Sequence, residues 1–175
     1  MFIHLKDLAS KGTIRIEGKE DLTGILPKSG SLLGHGPLQV RLEARDKAGT
    51  AEVTGELDID VEQSCSRCLS PVGQHLTIPF HETFVKGEDQ ELEESEDEDQ
   101  DEEDVLYVSE DRFELKPYLA ESVLMALPFI PLCSEDCQGL CPVCGTNRND
   151  KACECKTEKV DPRLAGLADF FKDRS

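Results

Sequence analysis

The sequence predicts an α+β protein, in which an antiparallel β-meander sheet carries one packed helix and a cysteine-rich C-terminal segment ends in a short helix. Three observations support this fold. Apolar and polar residues alternate with period two through the middle of the chain, one later stretch has helical spacing, and eight cysteines are clustered at short spacings. At 175 residues, the chain is long enough to bury a core without disulfides.

Alternating residues predict three consecutive strands, because period-two patterning places one face on a core and the other in water. The apolar positions are Leu38, Val40, Leu42 and Ala44, then Ala51, Val53, Leu57, Ile59 and Val61, then Leu76, Ile78, Phe80 and Phe84. Residues 46–49 have a composition typical of a turn and are predicted to connect the first two strands, and residues 65–71 join the second strand to the third. Ile14 and Ile16 indicate a further N-terminal strand.

Helical signals follow in the second half of the chain. Residues 105–108 and 113–115 have the pattern of short extended pieces, and Pro117 suits the first turn of a helix that Pro128 ends. The apolar positions of that helix are Leu119, Val123, Ala126 and Leu127. A second helix is predicted from Asp161 as N-cap, with an apolar face formed by Leu164, Leu167, Ala168 and Phe171.

The negative charge is concentrated in one segment. Of the 18 residues at 87–104, 13 are acidic and none is Lys or Arg; without these 13 charges, the net charge of −18 becomes −5 over the other 157 residues. Such a block repels itself and predicts a disordered insert. The chain therefore divides into a β-rich region at 1–86, the insert at 87–104, a strand and helix at 105–132, and a cysteine-rich segment with its helix at 133–175.

No secretory signal and no apolar run of bilayer-spanning length is present, so we expect a cytoplasmic protein without a membrane association. Thiols in the cytoplasm stay reduced, and clustered cysteines in such a chain indicate metal binding or redox chemistry. The sequence has no Gly-rich phosphate loop, nucleophile elbow or paired-carboxylate motif. We therefore expect no catalytic activity, no catalytic residues and no small-molecule substrate.

The cysteines are predicted to bind zinc at two sites, because all-cysteine tetrads without an open position are typical of structural zinc. Spacing favours one sequence-local site, which is formed by Cys141, Cys144, Cys153 and Cys155. The other four would tie a hairpin tip to the segment after the helix; they are Cys65, Cys68, Cys133 and Cys137. Iron uses the same ligands and is not excluded by the sequence. Because six of the eight cysteines lie in residues 133–175, this region is predicted to be a zinc-binding C-terminal segment.

Four stretches together resemble the YceD family, the large ribosomal RNA subunit accumulation proteins. They are Cys-Ser-Arg-Cys-Leu-Ser-Pro at 65–71, Leu-Pro-Phe-Ile-Pro-Leu-Cys at 127–133, Cys-Gln-Gly-Leu-Cys-Pro-Val-Cys-Gly-Thr-Asn-Arg-Asn at 137–149, and Asp-Pro-Arg-Leu at 161–164. The resemblance covers nearly the whole chain. It implies a non-enzymatic ribosome-biogenesis factor that supports accumulation of large-subunit (23S) ribosomal RNA.

Charge bears on how such a factor would reach its target. A net charge of −18 opposes phosphate contacts, so a basic ribosomal protein is favoured slightly over direct binding to a large-subunit rRNA precursor. Exposed faces around Arg67 and Arg163 are the predicted partner contacts. Two other classes stay open: a zinc-containing regulatory or adaptor protein unrelated to ribosomes, and a C-x-x-C thiol oxidoreductase.

Overall fold

The computed structural model describes residues 1–27, 30–87 and 105–155. It is mostly strands, arranged as a curled sheet with two helices among the described residues, in agreement with an α+β class. In chain order the elements are β1 (Phe2–His4), α1 (Leu5–Lys11), β2 (Thr13–Glu20), β3 (Leu32–His35), β4 (Leu38–Lys47), β5 (Thr50–Ser64), β6 (Pro71–Lys86), β7 (Val105–Val108), β8 (Arg112–Glu114) and α2 (Lys116–Ala126).

The main sheet is built around β5, which pairs antiparallel with β4 on one side and β6 on the other. The strand order of this sheet is β2-β4-β5-β6-β7, and β3 pairs antiparallel with the C-terminal end of β5. The predicted apolar faces of β4 and β5 are buried, with every second residue facing the core, as in Val40, Leu42 and Val53. β2 contains Ile14 and Ile16, so the N-terminal strand is confirmed.

β7 differs from the expectation of a purely antiparallel sheet, because it pairs with β6 in the parallel direction. Thr83 lies opposite Val105 and Lys86 opposite Val108. A parallel pair needs a connection of a dozen or more residues, and the 18 residues at 87–104 supply that length. The length of the acidic insert thus allows β7 to pair parallel to β6, which the charge pattern of the insert does not reveal. Most of it, residues 88–104, lies outside the described residues.

The N-terminal residues form a second, small sheet and a helix that the sequence did not predict. β1 pairs antiparallel with β8, so that Ile3 lies opposite Phe113. α1 buries Leu8 fully and Leu5 partly, and a seven-residue helix with two apolar positions on the core is too short to show a helical period in the sequence. The sequence predicted one helix packed on the sheet, whereas the described residues form two helices, α1 and α2. The helix predicted from Asp161 lies outside the described residues.

α2 packs on the sheet through Leu119, Ala120 and Val123, and it ends at Ala126, two residues before Pro128. Phe84 of β6 contacts the helix at Tyr118, with ring centroids 4.9 Å apart. Residues from the β-rich half and from residues 105–132 share one apolar core. This packing brings the chain after α2 to the β5–β6 hairpin tip. No helix within the described ranges is long and apolar enough to cross a bilayer.

Candidate metal centres

The β5–β6 hairpin tip presents the first two cysteines. β5 ends at Ser64 and β6 begins at Pro71. Between them, the Cys65 amide donates to the Ser70 carbonyl at 2.8 Å and the Leu69 amide donates to the Cys65 carbonyl at 2.9 Å. Leu69 takes a φ of 61° to close this turn. The tight turn directs two thiols of a C-x-x-C pair to the same side.

The segment after α2 brings the other two cysteines to the tip. The Ser66 amide donates to the Pro131 carbonyl at 2.8 Å, which holds this segment against the turn. Cys65 Sγ then lies 3.8 Å from Cys137 Sγ, and Cys68 Sγ lies 3.5 Å from Cys133 Sγ. All four sulfurs lie within 4.8 Å of one another. Four sulfurs about 2.3 Å from a tetrahedral zinc ion would be separated by about 3.8 Å, so these distances fit a zinc ion.

The first centre, formed by Cys65, Cys68, Cys133 and Cys137, is largely enclosed. Three of its cysteines are buried and Cys133 is exposed. Burial raises the pKa of the Cys65 thiol, but hydrogen bonds from nearby backbone amides outweigh it and bring that pKa down to about 6. Hydrogen bonds with Cys137 and Cys68 raise the pKa of Cys133 to about 12. The hydrogen bonds at this centre thus favour the thiolate form of Cys65, the form that binds a metal ion, and favour the thiol form of Cys133 while no metal is bound.

The second centre is formed by Cys141, Cys144, Cys153 and Cys155, whose sulfurs also lie within 4.8 Å of one another. The Gly145 amide donates to the Cys141 carbonyl at 2.8 Å, and Gly145 has a φ of 72°, a conformation that glycine adopts without strain. Hydrogen bonds from the side chain and backbone of Thr146 lower the pKa of Cys144 to about 6. A hydrogen bond with Cys144 is the largest cause that raises the pKa of Cys155, to about 12.

The two groups of four are therefore the sets that sequence spacing favoured, and either could hold a metal ion. They differ in connectivity. The first centre joins cysteines that are far apart in sequence. Cys68 and Cys133 are separated by 65 residues, and Cys65 and Cys137 by 72 residues. The second lies within residues 141–155. Only the first centre links the sheet to the distant C-terminal half.

Arg67 contributes a contact that sequence reasoning missed. One terminal nitrogen of its guanidinium, Nη1, donates to the carbonyls of Glu135 and Cys137, both at 3.0 Å. Its own carbonyl accepts from the Leu140 amide at 3.1 Å. Arg67 therefore ties the hairpin tip to the loop that connects the two centres. A charged residue inside a C-x-x-C pair gives no sequence signal of this role. Arg163 lies outside the described residues.

Asn149 links the two centres directly. Its Nδ2 donates to Cys137 Sγ at 3.3 Å, and its Oδ1 accepts from the Gln138 amide at 2.7 Å. Asn149 belongs to the loop of the second centre, between Cys144 and Cys153, yet it contacts a cysteine of the first. The sequence gives no signal for this residue, because cysteine spacing identifies the sulfur ligands and not the groups that hydrogen-bond to them.

These features define a class of protein: a small α+β protein whose curled sheet ends at two adjoining four-cysteine groups able to hold metal ions. The model of the family described as "Large ribosomal RNA subunit accumulation protein YceD" matches residues 53–171, which is more than half of the chain. The chain belongs to this YceD family.

Curated relatives come from several bacteria. An uncharacterized protein of Mycobacterium tuberculosis is 32% identical over 123 residues, covering 70% of this chain and 56% of the relative. The uncharacterized protein YlbN of Bacillus subtilis is 29% identical over 136 residues, covering 76% of this chain and 74% of the relative. The chain thus spans little more than half the length of the mycobacterial relative. No solved structure matches it.

Proposed function

We propose that this protein is a cytoplasmic, non-enzymatic ribosome-biogenesis factor that supports accumulation of large-subunit (23S) ribosomal RNA. The observation that carries the proposal is membership of a family described by that accumulation. The proposed means is contact with a large-subunit precursor particle, through a ribosomal protein in preference to naked RNA. Arg67 and Arg163 remain predicted partner contacts, although Arg67 also has the structural contacts described above.

Each four-cysteine group is proposed to bind one structural zinc ion. The donor set supports this, because four closely spaced thiols leave no open position for a substrate. Burial of Cys65 and Cys68 supports it further, since a thiol oxidoreductase must expose the sulfur that attacks its substrate disulfide. Elemental analysis of protein purified without chelator is expected to give two zinc ions per chain. Iron in place of zinc would overturn the choice of metal.

The charge arrangement favours a protein contact. Arg41 pairs with Asp58 at 2.7 Å, Arg15 pairs with Glu43 at 3.4 Å, and Lys86 pairs with Asp111 at 2.8 Å. These basic side chains of the described residues are thus neutralised by neighbouring carboxylates. Phosphate backbones need uncompensated Lys and Arg, whereas a basic protein complements a net charge of −18.

Loss of the gene is expected to lower mature large-subunit RNA relative to small-subunit RNA, because the factor acts on the large-subunit precursor. The ratio of the two RNAs, measured by quantitative electrophoresis in deletion and complemented strains, checks this. An unchanged ratio would remove the ribosomal function, and the regulatory or adaptor alternative would then be favoured.

Asn149→Ala is expected to weaken zinc binding at the first centre about ten-fold or more, because the variant loses the hydrogen bond to Cys137 Sγ. Competition with a chromophoric chelator measures the affinity of both centres. Arg148→Ala is the control: it truncates an exposed side chain of the same loop, and Arg148 has no side-chain hydrogen bond to a cysteine sulfur among the described residues. Equal effects of the two substitutions would contradict a specific role for Asn149.

A further inference from the structure

The chain between the two centres and the loop of the second centre form the two antiparallel sides of one loop, residues 137–149, which we call the bridging loop. Leu140 of the near side pairs with Asn147 of the far side. The Arg148 amide of the far side donates to the Gly139 carbonyl of the near side at 2.9 Å. Backbone contacts thus join a side that begins at the first centre to a side that belongs to the second.

The near side of the bridging loop is held by the β5–β6 hairpin tip. Arg67 Nη1 donates to the Cys137 carbonyl at 3.0 Å, and the Leu140 amide donates to the Arg67 carbonyl at 3.1 Å. Cys137 itself is buried. The near side is therefore supported by the fold, independently of the second centre.

The far side of the bridging loop has no comparable support. None of the residues at 142–155, all of which the structure describes, is buried. A segment without buried side chains opens at a low cost in free energy unless other bonds hold it. Cys144 and Cys153 flank the far side, so a metal ion bound by the second centre would fix both of its ends and reduce the number of conformations available to it.

Asn149 connects the order of the far side to the first centre. Its Nδ2 donates to Cys137 Sγ at 3.3 Å, and its Oδ1 accepts from the Gln138 amide at 2.7 Å. When the far side is fixed, this donor already lies beside the sulfur, so metal binding at the first centre no longer includes the cost of ordering it. Two sites that share an ordering cost bind their ligands cooperatively, and the effect is reciprocal.

We propose that the two centres bind zinc cooperatively, with Asn149 as the positioning residue that couples them. Zinc at either centre raises the affinity of the other about five-fold, and the factor is the same in both directions because binding free energies are linked. The factor is smaller than the whole effect of Asn149→Ala, since Asn149 still reaches Cys137 part of the time when the second centre holds no metal. The coupling rests on the proposed function, which assigns one zinc ion to each centre.

Competition with a chromophoric chelator measures the coupling in the full chain. Cys133→Ser and Cys144→Ser each replace an exposed cysteine, one in each centre, and leave single-zinc proteins whose affinities give two separate binding constants. The overall constant for binding two zinc ions to the wild-type protein is expected to exceed the product of these two constants about five-fold. A ratio of one would overturn the cooperative binding. Far-UV circular dichroism verifies that both variants are folded.

Substitutions in the bridging loop test the role of Asn149. The same three measurements in an Asn149→Ala background are expected to give a ratio near one. Arg148→Ala is the control, because it truncates an exposed side chain of the same loop that has no hydrogen bond of its own among the described residues, and it is expected to keep the five-fold ratio. A five-fold ratio that persists in Asn149→Ala, or one that is lost in Arg148→Ala, would overturn the coupling through Asn149.

Amide hydrogen exchange in Cys144→Ser gives a second measurement that needs no variant of the first centre. One equivalent of zinc then binds at the first centre, and it is expected to slow exchange of the Arg148 amide about five-fold, because Asn149 holds the far side against Cys137. The double variant with Asn149→Ala is expected to show no such change. Unchanged exchange in Cys144→Ser would overturn the coupling alone, whereas a wild-type protein that binds no zinc would overturn the proposed metal binding.

Discussion

Cys68→Ser is expected to remove one of two zinc equivalents and to lower the free energy of unfolding by more than about 3 kcal/mol. The first centre connects the β5–β6 tip to residues after α2, and Cys68 and Cys133 are 65 residues apart in sequence. A metal that closes so long a loop restricts the unfolded chain, and its binding free energy adds to the stability of the fold. Elemental analysis and urea unfolding followed by circular dichroism measure the two effects.

Cys141→Ser is the matched comparison, because it removes one ligand from the second centre. That centre lies within residues 141–155, so its loss is expected to loosen this segment and to change unfolding of the sheet by less than about 1 kcal/mol. Chelation of the wild-type protein should reproduce the destabilisation seen with Cys68→Ser. Equal destabilisation by Cys68→Ser and Cys141→Ser would contradict a distinct role for the first centre.

The sequence predicted the central strands and the second group of cysteines because both depend on local spacing, and the first group followed as the four cysteines that remained. Alternation at Val40, Leu42 and Val53 identifies the buried face without any knowledge of partners. Short spacings likewise assign Cys141 and Cys144 to one group. The metal itself and the ribosomal role are not encoded in such patterns, and they remain proposals that the experiments above test.

The parallel pairing of β7, helix α1 and the contacts of Arg67 and Asn149 could not be predicted in the same way. β7 has four residues, and its direction relative to β6 depends on where the chain returns after residues 87–104. Arg67 and Asn149 act through hydrogen bonds to residues distant in sequence. Long-range contacts between polar groups leave no periodic trace, so three-dimensional coordinates are needed to find them.

Gly55→Ala is expected to cost about 3–5 kcal/mol in the free energy of unfolding, the largest effect of any conservative substitution proposed. Gly55 lies in the middle of β5, opposite Leu42 of β4 and Phe80 of β6. It has a φ of 154°, and a Cβ there would lie 2.1 Å from the Arg41 carbonyl oxygen and 2.9 Å from Leu42 Cα. Both atoms are backbone, so no side-chain rotation relieves the overlap.

The β4–β5 ladder must therefore separate or shift to admit one methyl group. Because total stabilities of about 5–15 kcal/mol are typical, such a cost leaves a substantial unfolded population at low urea. Gly73→Ala provides the control: Gly73 also lies in a strand of this sheet, but among the described residues only its own chain neighbours approach its Cβ position within 4 Å. We expect Gly73→Ala to change stability by less than about 1 kcal/mol. Urea midpoints that match for Gly55→Ala and wild type would show that β4 and β5 do not approach as closely as described.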